Sequence, residues 1–336
     1  MNNNIIFKQP LSLFLLLLVL VVGAGSCKKE DTTVVQPDAN NISRVVADNF
    51  NLSMFNTGLT TSGLKLKLLE TGPFTVIAPS DDAFNAAGYA NSAALLAADP
   101  SRVSTIMQYH VLDGNYDFKR LPFLFNQEIR SYNGGKLFVT HWVKGPDTVL
   151  TINGAVVLAK NIPASNGVIQ VVDRVLQPYT FAYVLEAIAN DRNLSLFYQA
   201  LQKAGLTDLL SKNETYTVFA PGNSAMKAYG LSSLQDIEAA DAAELTRLMR
   251  YHIIADRRFV YDYILSAGTT TQSKQTMIDG NSVTVQLVEN PSVPGTYNGI
   301  SLQGIGNTSV VLLTQQDVLA GNGVLHTIGG VLKITQ

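Results

Sequence analysis

The residues best equipped for chemistry in this 336-residue chain are few: four histidines, one cysteine and the adjacent carboxylates Asp81-Asp82. A zinc centre needs three or four ligands at close spacing, and no pair among His110, His141, His252 and His326 has the spacing of the familiar zinc motifs. Cys27 is the only cysteine, so no intramolecular disulfide and no cysteine-rich metal site can form. No calcium-loop pattern and no Gly-x-Ser-x-Gly elbow occurs. Gly304-Ile305-Gly306 lacks a phosphate-loop continuation and reads as a turn. Asp81 and Asp82 are neighbours on a helix and do not face each other; their charge suits a helix N-terminus. The expectation is a protein without catalytic constellation, metal or cofactor.

Two Tyr-His pairs stand out, Tyr109-His110 and Tyr251-His252. Val103, Ile106, Met107 and His110 fall at i, i+3, i+4 and i+7, as do Leu245, Leu248, Met249 and His252. Each histidine therefore lies on the apolar stripe of a helix and faces a core, where a buried imidazole needs hydrogen-bond partners. The spacing favours a structural role over a partner-binding one. Trp142 and Tyr297 are single aromatics suited either to stacking on sugar rings or to filling a protein interface.

The elements around these residues are duplicated. Asn51-Leu-Ser-Met-Phe55 recurs as Asn193-Leu-Ser-Leu-Phe197, Phe74-Thr-Val-Ile-Ala-Pro79 as Tyr216-Thr-Val-Phe-Ala-Pro221, and Ile106–His110 as Leu248–His252, all offset by 142 residues. Asn166-Gly-Val-Ile169 recurs as Asn322-Gly-Val-Leu325 at an offset of 156, which places 14 extra residues in the second copy. The Gly/Pro/Asn-rich stretch 289–307 is the expected site of that insertion. So long a period means two domains, with a short junction near Pro178 and a fixed angle between them. Leu194, Phe197 and Leu201 mark one helical face, with Asn193 as N-cap. Ser80 caps a helix over 81–87, and Asp99-Pro100 opens another. Strands are expected at Thr75–Ala78 and Thr217–Ala220, each stopped by proline, and at Lys136–Thr140, Ala155–Ala159, Val168–Val172 and Val283–Val288. The fold class is α+β.

The Thr-Val-(Ile/Phe)-Ala-Pro, Tyr-His and Asn-Gly-Val-(Ile/Leu) blocks, in that order and twice over, resemble the hallmark motifs of fasciclin-like domains. The resemblance covers residues 42–178 and 180–336 and implies two tandem domains, each a compact β-rich wedge flanked by helices. It also implies an adhesion role, with the Tyr-His region linked to receptor binding. The pattern departs from the family where a histidine often follows Asn-Gly-Val-Ile: the first copy has Gln170, whereas the second keeps His326. Asp173 likewise corresponds to Gly329, so the two domains are expected to present different surfaces at that edge.

The N-terminus sets the expected compartment. Lys8, the apolar run Leu11–Val22 and the small residues 23–26 before Cys27 follow the order of a secretory signal, and 12 apolar residues are too few to span a bilayer. The segment resembles a bacterial lipobox, with Ala24 where leucine is commonest. This implies a signal peptide over 1–26, lipid attachment at Cys27 and a polar spacer over 27–41. Lys28-Lys29-Glu30-Asp31 reads either as a solvated linker start or as a resemblance to the charged tetrapeptides that route lipoproteins of the Bacteroidetes type to the cell surface. Without residues 1–26 the chain carries 23 basic and 26 acidic residues, with no clustered basic footprint for nucleic acid. Asp31-Thr32-Thr33 and Asp147-Thr148-Val149 resemble O-glycosylation acceptors of the same bacteria. The expected protein is a lipid-anchored module at the outer membrane, exposed at the surface, that binds a protein or matrix partner. The alternative is an accessory glycan-binding lipoprotein of a nutrient-uptake assembly, with a polysaccharide partner.

Overall fold

The computed structural model describes residues 40–335. The expected signal segment, Cys27, Asp31-Thr32-Thr33 and nearly all of the 27–41 spacer lie outside the described residues. Two seven-stranded sheets organise the rest. The first is built from β1 (Phe74–Pro79), β2 (Val111–Asp113), β3 (Gln127–Arg130), β4 (Lys136–Lys144), β5 (Asp147–Ile152), β6 (Ala155–Ala164) and β7 (Gly167–Val172), in the order β2-β1-β7-β6-β5-β4-β3. The second uses β8 (Tyr216–Pro221), β9 (Ile253–Ile254), β10 (Gln272–Thr276), β11 (Ser282–Glu289), β12 (Tyr297–Gln303), β13 (Val311–Ala320) and β14 (Gly323–Ile328), in the order β10-β11-β12-β13-β14-β8-β9. All neighbours are antiparallel except the parallel pairs β1–β7 and β14–β8.

Each sheet folds into a wedge because one junction is nearly open. β5 and β6 pair only at Thr151↔Val156 and Ile152↔Ala155, and β12 and β13 only at Ser301↔Leu312 and Leu302↔Val311. β1 and β8 are buried along their whole length, so they read as continuous apolar runs instead of alternating ones. Pro79 and Pro221 belong to these strands as their last residues, in register with Val172 and Ile328. A proline at a strand end costs no ladder bond that the next residue would need.

Helices cover one side of each wedge. Helix Ser53–Thr61 buries Met54, Phe55 and Leu59, and helix Ser195–Lys203 buries Phe197, Ala200 and Leu201. Burying one such phenylalanine contributes roughly 2–3 kcal/mol. Asn193 is not the N-cap of its helix. It sits inside a 3-10 turn, Arg192–Leu194, whose cap is Asp191, and the helix amide of Leu196 is taken by Asn223 Oδ1 at 3.0 Å. The tight turn spends the local caps one residue early, and a side chain from another element completes the helix. Helix Asp81–Ala86 is capped by Ser80 and carries Asp81 and Asp82 in its first turn, and Asp99 caps helix Pro100–Tyr109.

The extra residues of the second copy are spread over several places. Loops 290–296 and 304–310 have seven residues each, where the first copy uses the two-residue turns Gly145-Pro146 and Asn153-Gly154. The remainder falls before β11, where helix Val260–Ser266 stands in place of the single 3-10 turn Phe118–Arg120.

Candidate functional site

The Tyr-His pairs close the helical layer onto the sheet. His110 and His252 are fully buried at helix ends. His110 Nδ1 lies 2.8 Å from the Ile106 carbonyl, and its Nε2 accepts the Leu176 amide at 3.0 Å. His252 repeats this with the Leu248 carbonyl at 2.8 Å and the Leu332 amide at 3.0 Å. A carbonyl only accepts and an amide N–H only donates, so each ring is neutral with its proton on Nδ1. Burial pushes both imidazoles down to about 4. The rings meet Phe55 and Phe197 at centroid distances of 6.2 and 5.9 Å, another pair offset by 142.

The tyrosines bond to the other half of the wedge. Tyr109 Oη donates to the Lys136 carbonyl at the start of β4 and accepts Asn153 Nδ2 at 2.9 Å. Tyr251 Oη donates to the Ser282 carbonyl at 2.9 Å and accepts the Ile305 amide at 3.1 Å. All four side chains are thus fully engaged inside the fold, and no imidazole atom of either pair reaches solvent.

The Asn-Gly motifs play a matching role. Asn166 Oδ1 accepts the Ile42 amide at 2.9 Å, and its Nδ2 donates to the Leu68 and Glu70 carbonyls at 2.9 and 2.7 Å. Asn322 does the same with Val184, Leu210 and Lys212 at 2.7, 3.1 and 2.8 Å. One buried amide therefore ties the start of each sheet's final strand to two helical segments.

The two copies meet in a polar seam. Asp262 is fully buried and accepts from Asn126 Nδ2, Thr140 Oγ1 and the Phe259 amide, each at 2.9 Å. Burial raises its carboxyl to about 6, partly offset by those three bonds. Asn126 Nδ2 also donates to the Arg257 carbonyl at 2.7 Å, and Lys144 Nζ to the Ile264 carbonyl at 2.8 Å. The Arg257 guanidinium lies 3.6 Å from the centroid of Phe138, and Arg258 sits 4.8 Å from Phe125. Phe138, Phe259, Leu319 and Val324 form an apolar cluster beside these groups. Trp142 packs on Phe125 at 4.5 Å and Tyr297 lies 5.4 Å from Lys144 Nζ, so both aromatics belong to this junction.

The divergent edge noted in the sequence also lies here. His326 accepts the Asp317 amide on Nδ1 at 3.1 Å and faces the Arg258 carbonyl through Nε2 at 3.0 Å, the opposite tautomer to His110. Asp317 then reaches across to Arg174 of the first domain at 2.8 Å and accepts the Val260 amide at 2.8 Å. Its counterpart Asn161 bonds inside its own domain, to Gln170 and to Asp117. Asn126, Asn153 and Asp317 all have φ between 49° and 59°. Asparagine and aspartate tolerate that left-handed backbone better than other residues with a Cβ; the side chains of Asn126 and Asp317 reach across the seam, whereas Asn153 bonds to Phe138 and Tyr109 within its own domain.

Among the described residues no group of three His, Cys, Asp or Glu converges as a metal site, and no helix is long and apolar enough to cross a membrane. His141 is taken by the Leu121 carbonyl at 2.7 Å and by the Phe123 ring at 4.5 Å. Thr148 of the Asp147-Thr148 pair is exposed on β5.

Two helix-covered split wedges, each stapled by a buried Tyr-His pair and joined by one polar seam, define a tandem two-domain α+β protein. The chain belongs to the fasciclin domain family, whose model matches residues 50–178 and 192–334. It is 29% identical to Transforming growth factor-beta-induced protein ig-h3 of Sus scrofa over 55% of this chain, and 29% identical to periostin of Homo sapiens over 60%. It spans only 24% and 21% of those two relatives. Protein sll1483 of Synechocystis is 35% identical over 42% of this chain and 74% of its own length. A solved domain pair from the insect cell adhesion molecule fasciclin I is similar at 19% identity and a TM-score of 0.42, covering 83% of this chain and 95% of that one.

Proposed function

We propose that this protein is a membrane-tethered, non-catalytic interaction module that holds a protein or matrix partner at the cell surface. The observation that supports it most is the seam: buried Asp262 bonded to Asn126 and Thr140 of the other domain. Such a junction fixes two binding surfaces at one separation, and two modest surfaces so held gain avidity on a repetitive partner. The buried Tyr-His pairs leave recognition to other exposed groups. The segment Leu11–Cys27 supports lipid attachment at Cys27 and export to the outer membrane. The fasciclin resemblance supports adhesion over catalysis.

The test is affinity purification of tagged full-length protein from its native membrane, with a panel of soluble polysaccharides assayed in parallel. Saturable capture of a protein or matrix component is expected. Saturable polysaccharide binding that is lost on shortening loop 290–296, with co-purification of an outer-membrane transporter, would instead establish the glycan-uptake alternative.

A further inference from the structure

Phe50 is 94% exposed, more than any other large apolar side chain among the described residues. It is not a loose residue. The turn Phe50–Leu52 is held by Asn49 Oδ1, which accepts the Asn51 amide at 3.0 Å, and by buried Leu52. Next along the chain, Asp81 accepts the Met54 amide at 2.9 Å and the Ser53 hydroxyl at 2.5 Å. A rigid turn thus presents an aromatic ring to water, between two depressions of about 330 and 530 Å³. Leu158, 60% exposed, stands on the rim of the smaller one.

The duplication supplies an internal control. The same turn in the second domain carries Arg192, capped by Asp191 in the same way at 2.8 Å. The turn therefore does not need an aromatic to fold. The surroundings differ in the same sense. Asp48, Asp81 and Asp82 line the depressions, whereas their counterparts are Asn190, Asn223 and Ser224. Leu158 corresponds to Thr314. No lysine or arginine lines either depression, and Lys160 further along β6 is turned to the Thr148 carbonyl. Among the described residues, the side chains of Asp82 and Asn51 have no hydrogen-bond partner. One domain thus presents an apolar face with three carboxylates, and its duplicate an arginine at the centre beside the single carboxylate of Asp191.

We infer that the Phe50 face of the first domain is a docking surface for a basic protein segment that sets lysine or arginine beside an apolar side chain. An exposed ring costs solubility and adds nothing to this fold, while rigid aromatics are the usual anchors of protein interfaces. The three carboxylates select a cationic occupant and repel an anionic membrane or an acidic glycan. The inference rests on the reading of the chain as a protein-binding module and names the surface that binds.

The experiment titrates full-length protein in detergent against a fluorescent dodecapeptide of alternating lysine and leucine, read by anisotropy. One saturable site is expected. Phe50→Arg, and separately Asp48→Asn with Asp82→Ser, should each weaken it about tenfold, the scale of an interface anchor. These variants borrow residues from the second domain, so their melting temperatures should match the parent. Arg192→Phe with Asn190→Asp and Ser224→Asp should create a second site. Unchanged affinity in the first two variants overturns the inference, as does a neutral oligosaccharide, maltoheptaose, shifting the Phe50 ring resonances where the peptide does not. A Phe50→Arg protein that still captures the cell-surface partner overturns this surface alone. A wild-type protein that captures none overturns the module reading itself.

Discussion

His110 Nε2 accepts the backbone amide of Leu176 across 66 residues of sequence, and that bond joins the end of a helix to the segment that follows β7. The same bond recurs between His252 and Leu332 after β14. Because both histidines are neutral in the fold, their protonation opposes folding. With folded values of about 4 against an ordinary 6.5, this stability is full above pH 6.5 and is lost as pH falls toward 4. Each histidine carries roughly 3 kcal/mol over that window. Urea unfolding from pH 7.5 to 4 checks this. His110→Ala should cost about 3 kcal/mol or more at pH 7.5 and remove the His110 share of the acid dependence.

Asp262 titrates in the opposite sense. Its raised value of about 6 means that the folded protein holds the proton more tightly than the unfolded chain does. Stability from this group is therefore highest below about pH 4 and declines as pH rises through 6. Asp262→Asn removes that decline, so the variant should gain on the wild type between pH 4 and 7. Paired thermal melts at the two pH values measure the gain, and a constant difference would contradict a buried seam carboxyl.

Gly154 combines φ of 76° with a close approach to the second domain. A Cβ there would lie 2.8 Å from Phe259 Cβ. Gly154→Ala should cost about 2 kcal/mol or more and act on the seam, splitting a single unfolding transition into two. Differential scanning calorimetry distinguishes this from uniform weakening.

Asn166 donates to two carbonyls and accepts one amide, so its chemistry is not interchangeable with a carboxylate. Asn166→Asp sets an anion against the Leu68 and Glu70 oxygens and should cost about 3 kcal/mol or more, above the cost of Asn166→Ala. Chemical denaturation of the two variants decides the order.

The core of each domain was legible because its signals are local or repeated. The i, i+3, i+4, i+7 spacing of Val103, Ile106, Met107 and His110 points the ring inward, and the duplicate confirms the pattern. The strands were found at their centres, yet they run further at their ends: β4 continues to Lys144 and β6 to Ala164. There the alternation breaks at β-bulges and at the domain junction. The seam was not legible. Asn126, Thr140 and Asp262 share no periodicity, Asp262 lies more than 120 residues from the other two, and their meeting depends on a left-handed backbone at Asn126. Phe50 carried a usable signal, since its repeat partner is Arg192, but only its exposure separates it from core aromatics such as Phe55.

The most direct test of the account places a photo-crosslinking amino acid at positions 50, 158, 192 and 314 of the full-length protein in its native cells. The account predicts discrete protein adducts, resistant to glycosidases, that arise from the first-domain positions 50 and 158. Adducts that dissolve under glycosidase treatment, or none at any of the four positions, would contradict it.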